Sequence, residues 1–149
     1  MSKIIKLTAL LTLTLLFTNR SNAQKVNPKV REAFHQKFPA VSTVHWGKEN
    51  AHEYEAEFHM NGRTVSANFN LNGTWMETET DINKKSLPVA VVEYLNKHYS
   101  NKKLGEIART ESPKQTVYEV AVEKGEQNIT LIFSIDGKLI HKEAGGDAD

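Results

Sequence analysis

The sequence predicts an α+β protein built from two tandem repeats, each a helix followed by an antiparallel β-meander. Three observations support this prediction. A helix-like stretch occurs twice, each time opened by a proline and with apolar residues four positions apart. Alternating apolar and polar residues follow each stretch, which is typical of half-buried antiparallel strands. Asn-Gly and Asp-Gly pairs, the strongest short hairpin signals, separate several of these segments.

The first 23 residues are predicted to form a secretory signal peptide. Two lysines precede an apolar run at 7–17, and Ser21-Asn22-Ala23 supplies the small residues of a cleavage site. The run is too short for a membrane-spanning helix, which needs about 20 residues. We therefore expect cleavage after Ala23 and a mature protein that is periplasmic or secreted, with no membrane span. Without cysteine it cannot be a lipoprotein anchored through an N-terminal cysteine.

Removal of this leader changes the charge balance. The whole chain has 19 Lys and Arg against 18 Asp and Glu, and three of the basic residues but no acidic one lie in the leader. The mature chain therefore has 16 basic and 18 acidic residues, a net charge of −2. This balance does not predict nucleic-acid binding, which requires clustered Lys and Arg. The absence of cysteine also excludes disulfides, thiolate metal sites and cysteine nucleophiles.

The first predicted repeat spans residues 24–80. Its helix begins at Pro28, where the missing backbone N–H costs nothing, and stops at Phe38-Pro39. Val30, Phe34 and Phe38 lie four apart and are expected to form the buried helix face. Strands are predicted near residues 43–49, 52–60, 63–71 and 74–80.

The second predicted repeat spans residues 88–143 and follows a connector at 81–87. In its helix, Val91, Leu95 and Tyr99 occupy the places of the three apolar residues in the first helix. Residues 144–149 form a small, acidic tail that we expect to fray. Strands are predicted near residues 104–111, 116–124, 127–135 and 138–143. A unit of about 50–60 residues buries little surface by itself, so we expect the two sheets to share a core or to run on from one another, with the helices on one face.

The doubled pattern resembles the PepSY-like family. The resemblance covers residues 28–143 and depends on the Phe-x-x-Lys-Phe-Pro end of the first helix, on Tyr54-Glu-Ala-Glu-Phe58 and on Phe69-Asn-Leu-Asn-Gly73-Thr-Trp75. This family is described as similar to β-lactamase-inhibitor proteins and consists mainly of small exported proteins of Gram-negative bacteria. The resemblance implies an exported tandem helix-plus-sheet protein that binds or inhibits another protein, often a peptidase. It implies no set of catalytic residues.

No residue pattern predicts catalysis. The serines show neither a Gly-x-Ser-x-Gly elbow nor a Ser-x-x-Lys placement, and the glycines form no phosphate-binding loop. Glu53, Glu55 and Glu57 could act as acid and base, but their alternation with apolar residues favours a solvent-facing side of a strand. We therefore predict no catalytic residue and no cofactor, and expect that the protein is not an enzyme.

The histidines are the candidate metal ligands. His52 and His59 are seven residues apart and face opposite sides of a strand, whereas His45 and His59 converge only if their strands pair in the right register. The sequence has no His-x-His or His-Glu-x-x-His spacing, so no metal site is predicted. A periplasmic small-ligand or metal-binding protein that uses the open sheet face and its histidines remains the alternative function, and a hydrolase comes third.

The two tryptophans differ in the residues at alternate positions of their strands, whose side chains face the same side of the sheet. Trp46 alternates with Val44 in this way, which favours the core. Trp75 alternates with Glu77 and Glu79 and is compatible with the core or with the open sheet face. Our hypothesis for the open face is an aromatic anchor set among carboxylates, an arrangement that suits a protein partner. The candidate partner-binding residues are Trp75, Glu53, Glu55, Glu57, Glu77, Glu79 and His59.

The leading functional interpretation is an exported, non-enzymatic protein-binding module. Such a module would inhibit or regulate a peptidase or another periplasmic enzyme. The expected partner is therefore an exported or periplasmic protein, and neither nucleic acid nor a membrane is expected.

Overall fold

The structure is a computed structural model that describes residues 26–124 and 127–144. The predicted signal peptide, with its cleavage site after Ala23, lies outside these residues, as do residues 145–149 of the predicted tail. The first half of the described chain contains α1 (Pro28–Lys37), β1 (Val44–Lys48), β2 (Glu53–Met60), β3 (Arg63–Asn70) and β4 (Trp75–Asp81). A 3-10 turn at Lys84–Ser86 leads to α2 (Val89–Tyr99), β5 (Leu104–Glu111), β6 (Thr116–Lys124), β7 (Gln127–Ser134) and β8 (Leu139–Ala144).

The eight strands form one antiparallel sheet, and their order in the sheet follows the chain from β1 to β8. The central junction is the pairing of β4 with β5, in which Glu79 lies opposite Thr110. The predicted fold class of two tandem helix-plus-meander repeats is therefore wrong, because the described chain is mainly a single eight-stranded sheet with two short helices. Two separate meanders would each leave inner strand edges with unpaired backbone N–H and C=O groups, and the β4–β5 pairing satisfies these groups.

The local sequence accounts for where the first helix begins and for which face of each helix is buried. The side chain of Asn27 accepts a hydrogen bond from the backbone N–H of Lys29 at 3.0 Å and so caps α1, with Pro28 at its first position. Val30 and Phe34 of α1 are buried, as are the helix residues Val91 and Leu95 of α2. Within residues 26–124 and 127–144, no helix is long and apolar enough to cross a membrane.

Both helices cover the same face of the sheet. Around α1 the core contains Phe34, Phe58 and Phe69, and around α2 it contains Leu95 and Phe133. The strand register shows that the two clusters lie on the same side of the sheet. From β3 to β7, each residue of the following row lies directly opposite the next on the neighbouring strand: Val65, Thr80, Arg109, Tyr118 and Phe133. The other face of the sheet is consequently covered by neither helix.

Two hairpin turns fix where the helices lie on the sheet. Gly73, in the β3–β4 turn, has φ +92°, and a Cβ there would lie 2.8 Å from the carbonyl oxygen of Lys29 at the start of α1. Gly137, in the β7–β8 turn, has φ +85°, and a Cβ there would lie 2.8 Å from the Cβ of Ala90 in α2. Glycine is therefore required at both turns by backbone conformation and by the close approach of a helix.

Candidate functional site

The sheet face that the helices leave uncovered carries a band of carboxylates. Glu55 of β2 lies opposite Asn68 of β3, which in turn lies opposite Glu77 of β4. On β5, Ala108 lies between Asp81 of β4 and Glu119 of β6, so the band continues into the second half of the sheet. We call this surface the acidic face, and its carboxylates are Glu53, Glu55, Glu57, Glu77, Glu79, Asp81, Glu106 and Glu119.

Burial raises the pKa of several of these carboxyl groups, because it removes the charged form from water. The pKa rises to about 7 for Glu55 and Glu77, and to about 8 for Glu79. Nearby carboxylates add to the effect: Glu57 acts on Glu55, whereas Glu119 acts on both Glu77 and Glu79. Burial also raises the pKa of Glu119 itself. Near neutral pH the acidic face is therefore a mixture of ionised and protonated carboxyl groups.

Within the described ranges, these carboxylates have no Lys or Arg partner. The ion pairs found there involve other carboxyl groups, in Lys103–Glu123 (2.8 Å), Arg109–Glu111 (2.9 Å) and His141–Glu143 (3.6 Å). Like charges held close together without a counter-ion repel one another. The acidic face is thus arranged to attract positive charge from outside the described chain.

Asn68 is a buried polar side chain at the centre of this surface. It is 3% exposed and lies between Glu55 and Glu77 in the strand register. Its Nδ2 donates a hydrogen bond to Oε1 of Glu77 at 3.3 Å, while its Oδ1 has no hydrogen-bond partner in the structure. This amide therefore supports the Glu77 carboxylate, while its own oxygen is buried and unpaired.

Three carboxylates of the acidic face lie close enough to share a cation. Glu79, Asp81 and Glu106 each offer one oxygen, and the three oxygens lie within 4.8 Å of one another. Carboxylate oxygens are the ligands that hard cations prefer, but Ca²⁺ takes six to eight of them. The group supplies at most part of such a coordination sphere.

His45 and His59 lie on the same sheet face as the carboxylates. His45 pairs with Glu57, and His59 follows two residues later on β2. All three line a groove of about 810 Å³ next to the edge strand β1, together with Ser42 and Thr64. Their ligand atoms do not all come within 4.8 Å of one another, so the register brings the histidines to one side without assembling a metal site.

The structure places six of the seven predicted partner-binding residues on the acidic face. Glu53, Glu55, Glu57 and His59 alternate along β2, and they face the same way as Glu77 and Glu79 on β4. The prediction missed Asp81, which it assigned to the connector, and Glu106 and Glu119. A signal for Glu119 existed, because it stands between Tyr118 and Val120 in a strand pattern, but only the β4–β5–β6 pairing brings it to the same band.

Trp75 is the exception, because it lies on the helix side of the sheet. A bulge between Asn68 and Phe69 places Phe69 opposite Trp75 while Asn68 stays opposite Glu77. The extra residue on β4 reverses the alternation of side chains between the two sheet faces. The prediction that Trp75 and Glu77 share a face, which assumed regular alternation, is therefore wrong. The indole packs against the core around α1, with the Nζ of Lys37 3.5 Å from the ring centre.

Trp75→Ala is expected to lower the free energy of unfolding by about 1–3 kcal/mol. The substitution removes core packing, the contact with Lys37 and the 2.9 Å hydrogen bond from Nε1 to Oγ1 of Thr78. Urea unfolding measures this loss, with Met76→Ala as the control, since Met76 is 38% exposed and should change stability by less than about 0.5 kcal/mol. Equal stability of the two variants would contradict the observed position of Trp75.

Comparison with known proteins shows which sequences and folds this chain is similar to. A family model described as "Putative beta-lactamase-inhibitor-like, PepSY-like" matches residues 52–141. A BLIP-like protein from Bacteroides fragilis is 28% identical, with a TM-score of 0.71 over 81% of this chain and 89% of that one. A DUF2874 family protein from Bacteroides ovatus is 25% identical, with a TM-score of 0.72 over 78% and 86%.

A third solved structure shares the fold at lower identity. It is a "putative periplasmic" protein from Bacteroides eggerthii, 20% identical, with a TM-score of 0.73 over 78% of this chain and 87% of that one. No curated protein matches the sequence.

Proposed function

Because this chain belongs to the PepSY-like, β-lactamase-inhibitor-like family, we propose that it is an exported, non-enzymatic module that binds another protein through its acidic face. The observation that carries this proposal is the uncovered side of the eight-stranded sheet. There, half-buried carboxylates from β2, β4 and β6 stand together without basic partners among the described residues. A surface with unbalanced charge on rigid strands is well suited to a complementary partner.

The proposed location is the periplasm or the cell exterior. It rests on the predicted signal peptide, whose basic start, short apolar run and small-residue cleavage site form a complete export signal. The partner would therefore be another exported protein.

The proposed consequence of binding is inhibition or regulation of an enzyme, with peptidases as the first class to test. The family description and the name of the similar BLIP-like protein from Bacteroides fragilis support this direction. Inhibitors of this kind act by covering a surface of their target, which requires area and complementarity but no reactive group.

Carboxyl groups with a raised pKa also occur in catalytic sites, so their setting decides between the two roles. Glu55, Glu77 and Glu79 lie along an open strand surface, and the groove beside β1 includes Glu57 but none of these three. A catalytic acid normally acts inside a concave pocket that excludes water. Their position therefore favours binding over turnover.

The experiment that tests the proposal is capture of a partner by the mature protein from a periplasmic extract of its native host. Glu57→Lys reverses one charge on the acidic face and is expected to reduce capture at least tenfold, as for a charge at a binding interface. The matched control is Glu93→Lys, which makes the same charge change at an exposed position of α2 on the helix side.

Circular dichroism of each variant verifies that the fold is retained. Equal capture by the wild type, Glu57→Lys and Glu93→Lys would reject the acidic face as the binding surface. A turnover that is abolished by Glu79→Gln would reject the non-enzymatic proposal.

A further inference from the structure

We infer that the partner presents a row of lysine or arginine side chains that docks along the acidic face, and that docking releases protons into solution. This inference rests on the proposed function and specifies the chemistry of the partner and the way in which pH regulates binding.

The geometry of the acidic face suits several cations in a row better than a single ion. Neighbouring strands lie about 4.8 Å apart, so Glu55 and Glu77, which flank β3, are about 10 Å apart across the sheet. Along β4, Glu77 and Glu79 are two residues apart, which corresponds to about 7 Å. Alternate side chains of an extended partner strand have this same spacing of about 7 Å. A partner with basic residues at alternate positions can therefore contact successive carboxylates.

The charge on this side of the sheet is almost entirely negative. Among the described residues, the Lys103 side chain brings a positive charge to this side. Its Nζ is already paired with the Glu123 carboxylate at 2.8 Å. The central strands also contain Arg63 and Arg109. Both occupy strand positions whose side chains point to the helix side of the sheet. The titratable groups that face outward are His45, Glu49, Glu53, Glu55, Glu57, His59, Glu77, Glu79, Asp81, Glu106, Glu119, Glu123, His141 and Glu143.

The release of protons follows from the state of the carboxyl groups before binding. Burial and mutual repulsion hold the pKa of Glu55 and Glu77 at about 7 and that of Glu79 at about 8. A lysine or arginine placed beside a carboxyl group stabilises its ionised form and lowers its pKa. At about pH 7 a carboxyl group that is protonated in the free protein therefore loses its proton when the partner binds. Binding becomes tighter as the pH rises from about 6 to about 8.5, where lysine remains charged.

A divalent cation is the competing occupant. The oxygens of Glu79, Asp81 and Glu106 could hold such an ion, but that group uses only one part of the band. Glu55 and Glu77, on the far side of Glu79 from Glu106, would keep their unpaired charge. A polybasic partner can contact both parts, which is why the observations favour it.

The test uses a short synthetic peptide with lysine at alternate positions, and a matched peptide with glutamine in place of each lysine. Isothermal titration calorimetry at low salt is expected to detect binding of the lysine peptide alone, at least tenfold tighter at about pH 8.5 than at about pH 6. Titration in two buffers with different ionisation enthalpies measures the protons released at about pH 7.

Three variants assign the released protons. Glu79→Gln removes one titrating carboxyl group and is expected to reduce both the affinity and the number of protons released. Glu93→Gln makes the same substitution at an exposed position of α2 and is expected to change neither. His59→Gln distinguishes histidine from carboxyl groups as the proton source: it is expected to leave the proton release in place even if it weakens binding, because the protons come from the carboxyl groups.

Several results would overturn the inference. These are equal binding of the two peptides, an affinity that does not change with pH, and proton release that Glu79→Gln leaves intact. Binding of CaCl₂ that Glu79→Gln abolishes, without binding of the lysine peptide, would identify a divalent-cation site instead. The lysine peptide could show no binding while Glu57→Lys still reduces capture of a partner from the periplasmic extract. In that case only the cationic chemistry of the partner is rejected, and the proposed function stands.

Discussion

Phe34→Ala is expected to lower the free energy of unfolding by about 3–5 kcal/mol. Phe34 is fully buried at the centre of an aromatic cluster in which its ring lies 5.2 Å from that of Phe58 and 5.3 Å from those of Phe38 and Trp46. Truncation removes these contacts and leaves a cavity between α1 and the sheet, which a close-packed core cannot fill by small shifts.

Urea unfolding of the purified protein measures this effect. Arg31→Ala is the control, because Arg31 is an exposed residue of the same helix and should change stability by less than about 0.5 kcal/mol. Leu95→Ala tests the core around α2 in the same way, with an expected loss of about 2–5 kcal/mol, because Leu95 is 2% exposed. Small and equal losses in all three variants would show that the helix faces are assigned incorrectly.

Stability is also expected to fall by about 2–5 kcal/mol as the pH rises from about 5 to about 8.5. In the folded protein the pKa of Glu55 and Glu77 is about 7 and that of Glu79 about 8, above the ordinary value of 4.5. Between these values the folded state binds more protons than the unfolded state, so the free energy of unfolding decreases with pH. The stabilisation is complete below about pH 4.5, is lost progressively as the pH rises, and is gone once the pH has passed through the folded-state pKa values of about 7 to 8.

The expected total is smaller than the sum of three independent groups. The carboxylates share much of their repulsion, so their contributions are not additive. Urea unfolding at several pH values between about 5 and 8.5, at constant ionic strength, gives the profile.

Glu79→Gln provides the matched comparison. This variant should be more stable than the wild type at about pH 8.5 and should show a shallower dependence on pH, because it cannot ionise at that position. Glu93→Gln, at an exposed position of α2, should leave the profile unchanged. A flat profile for the wild type, or a maximum at about pH 8.5, would contradict the proposed state of the acidic face.

Local sequence determined the helices and the positions of most strands. The spacing of Val30 and Phe34 identifies the buried face of α1, because the helical period of 3.6 depends only on neighbours in the chain. Asn61 and Gly62 have φ values of 53° and 73°, as a type I′ turn requires, and this requirement can be read from the dipeptide itself. The alternation in β2 likewise placed Glu53, Glu55 and Glu57 on one side of the sheet.

Tertiary structure decided what these elements form together. The joining of β4 to β5 into one sheet depends on which strand edges meet, and local periodicity carries no information about pairs distant in the chain. The bulge between Asn68 and Phe69, which turns Trp75 to the helix side, depends in the same way on pairing with β4.

The raised pKa of Glu79 is likewise a property of the assembled sheet. It results from burial and from carboxylates on other strands, above all Glu119, which lies 40 positions away in the sequence. The sequence specifies which side chains can carry charge. The distances between these charges and their burial from water arise only when the strands pair.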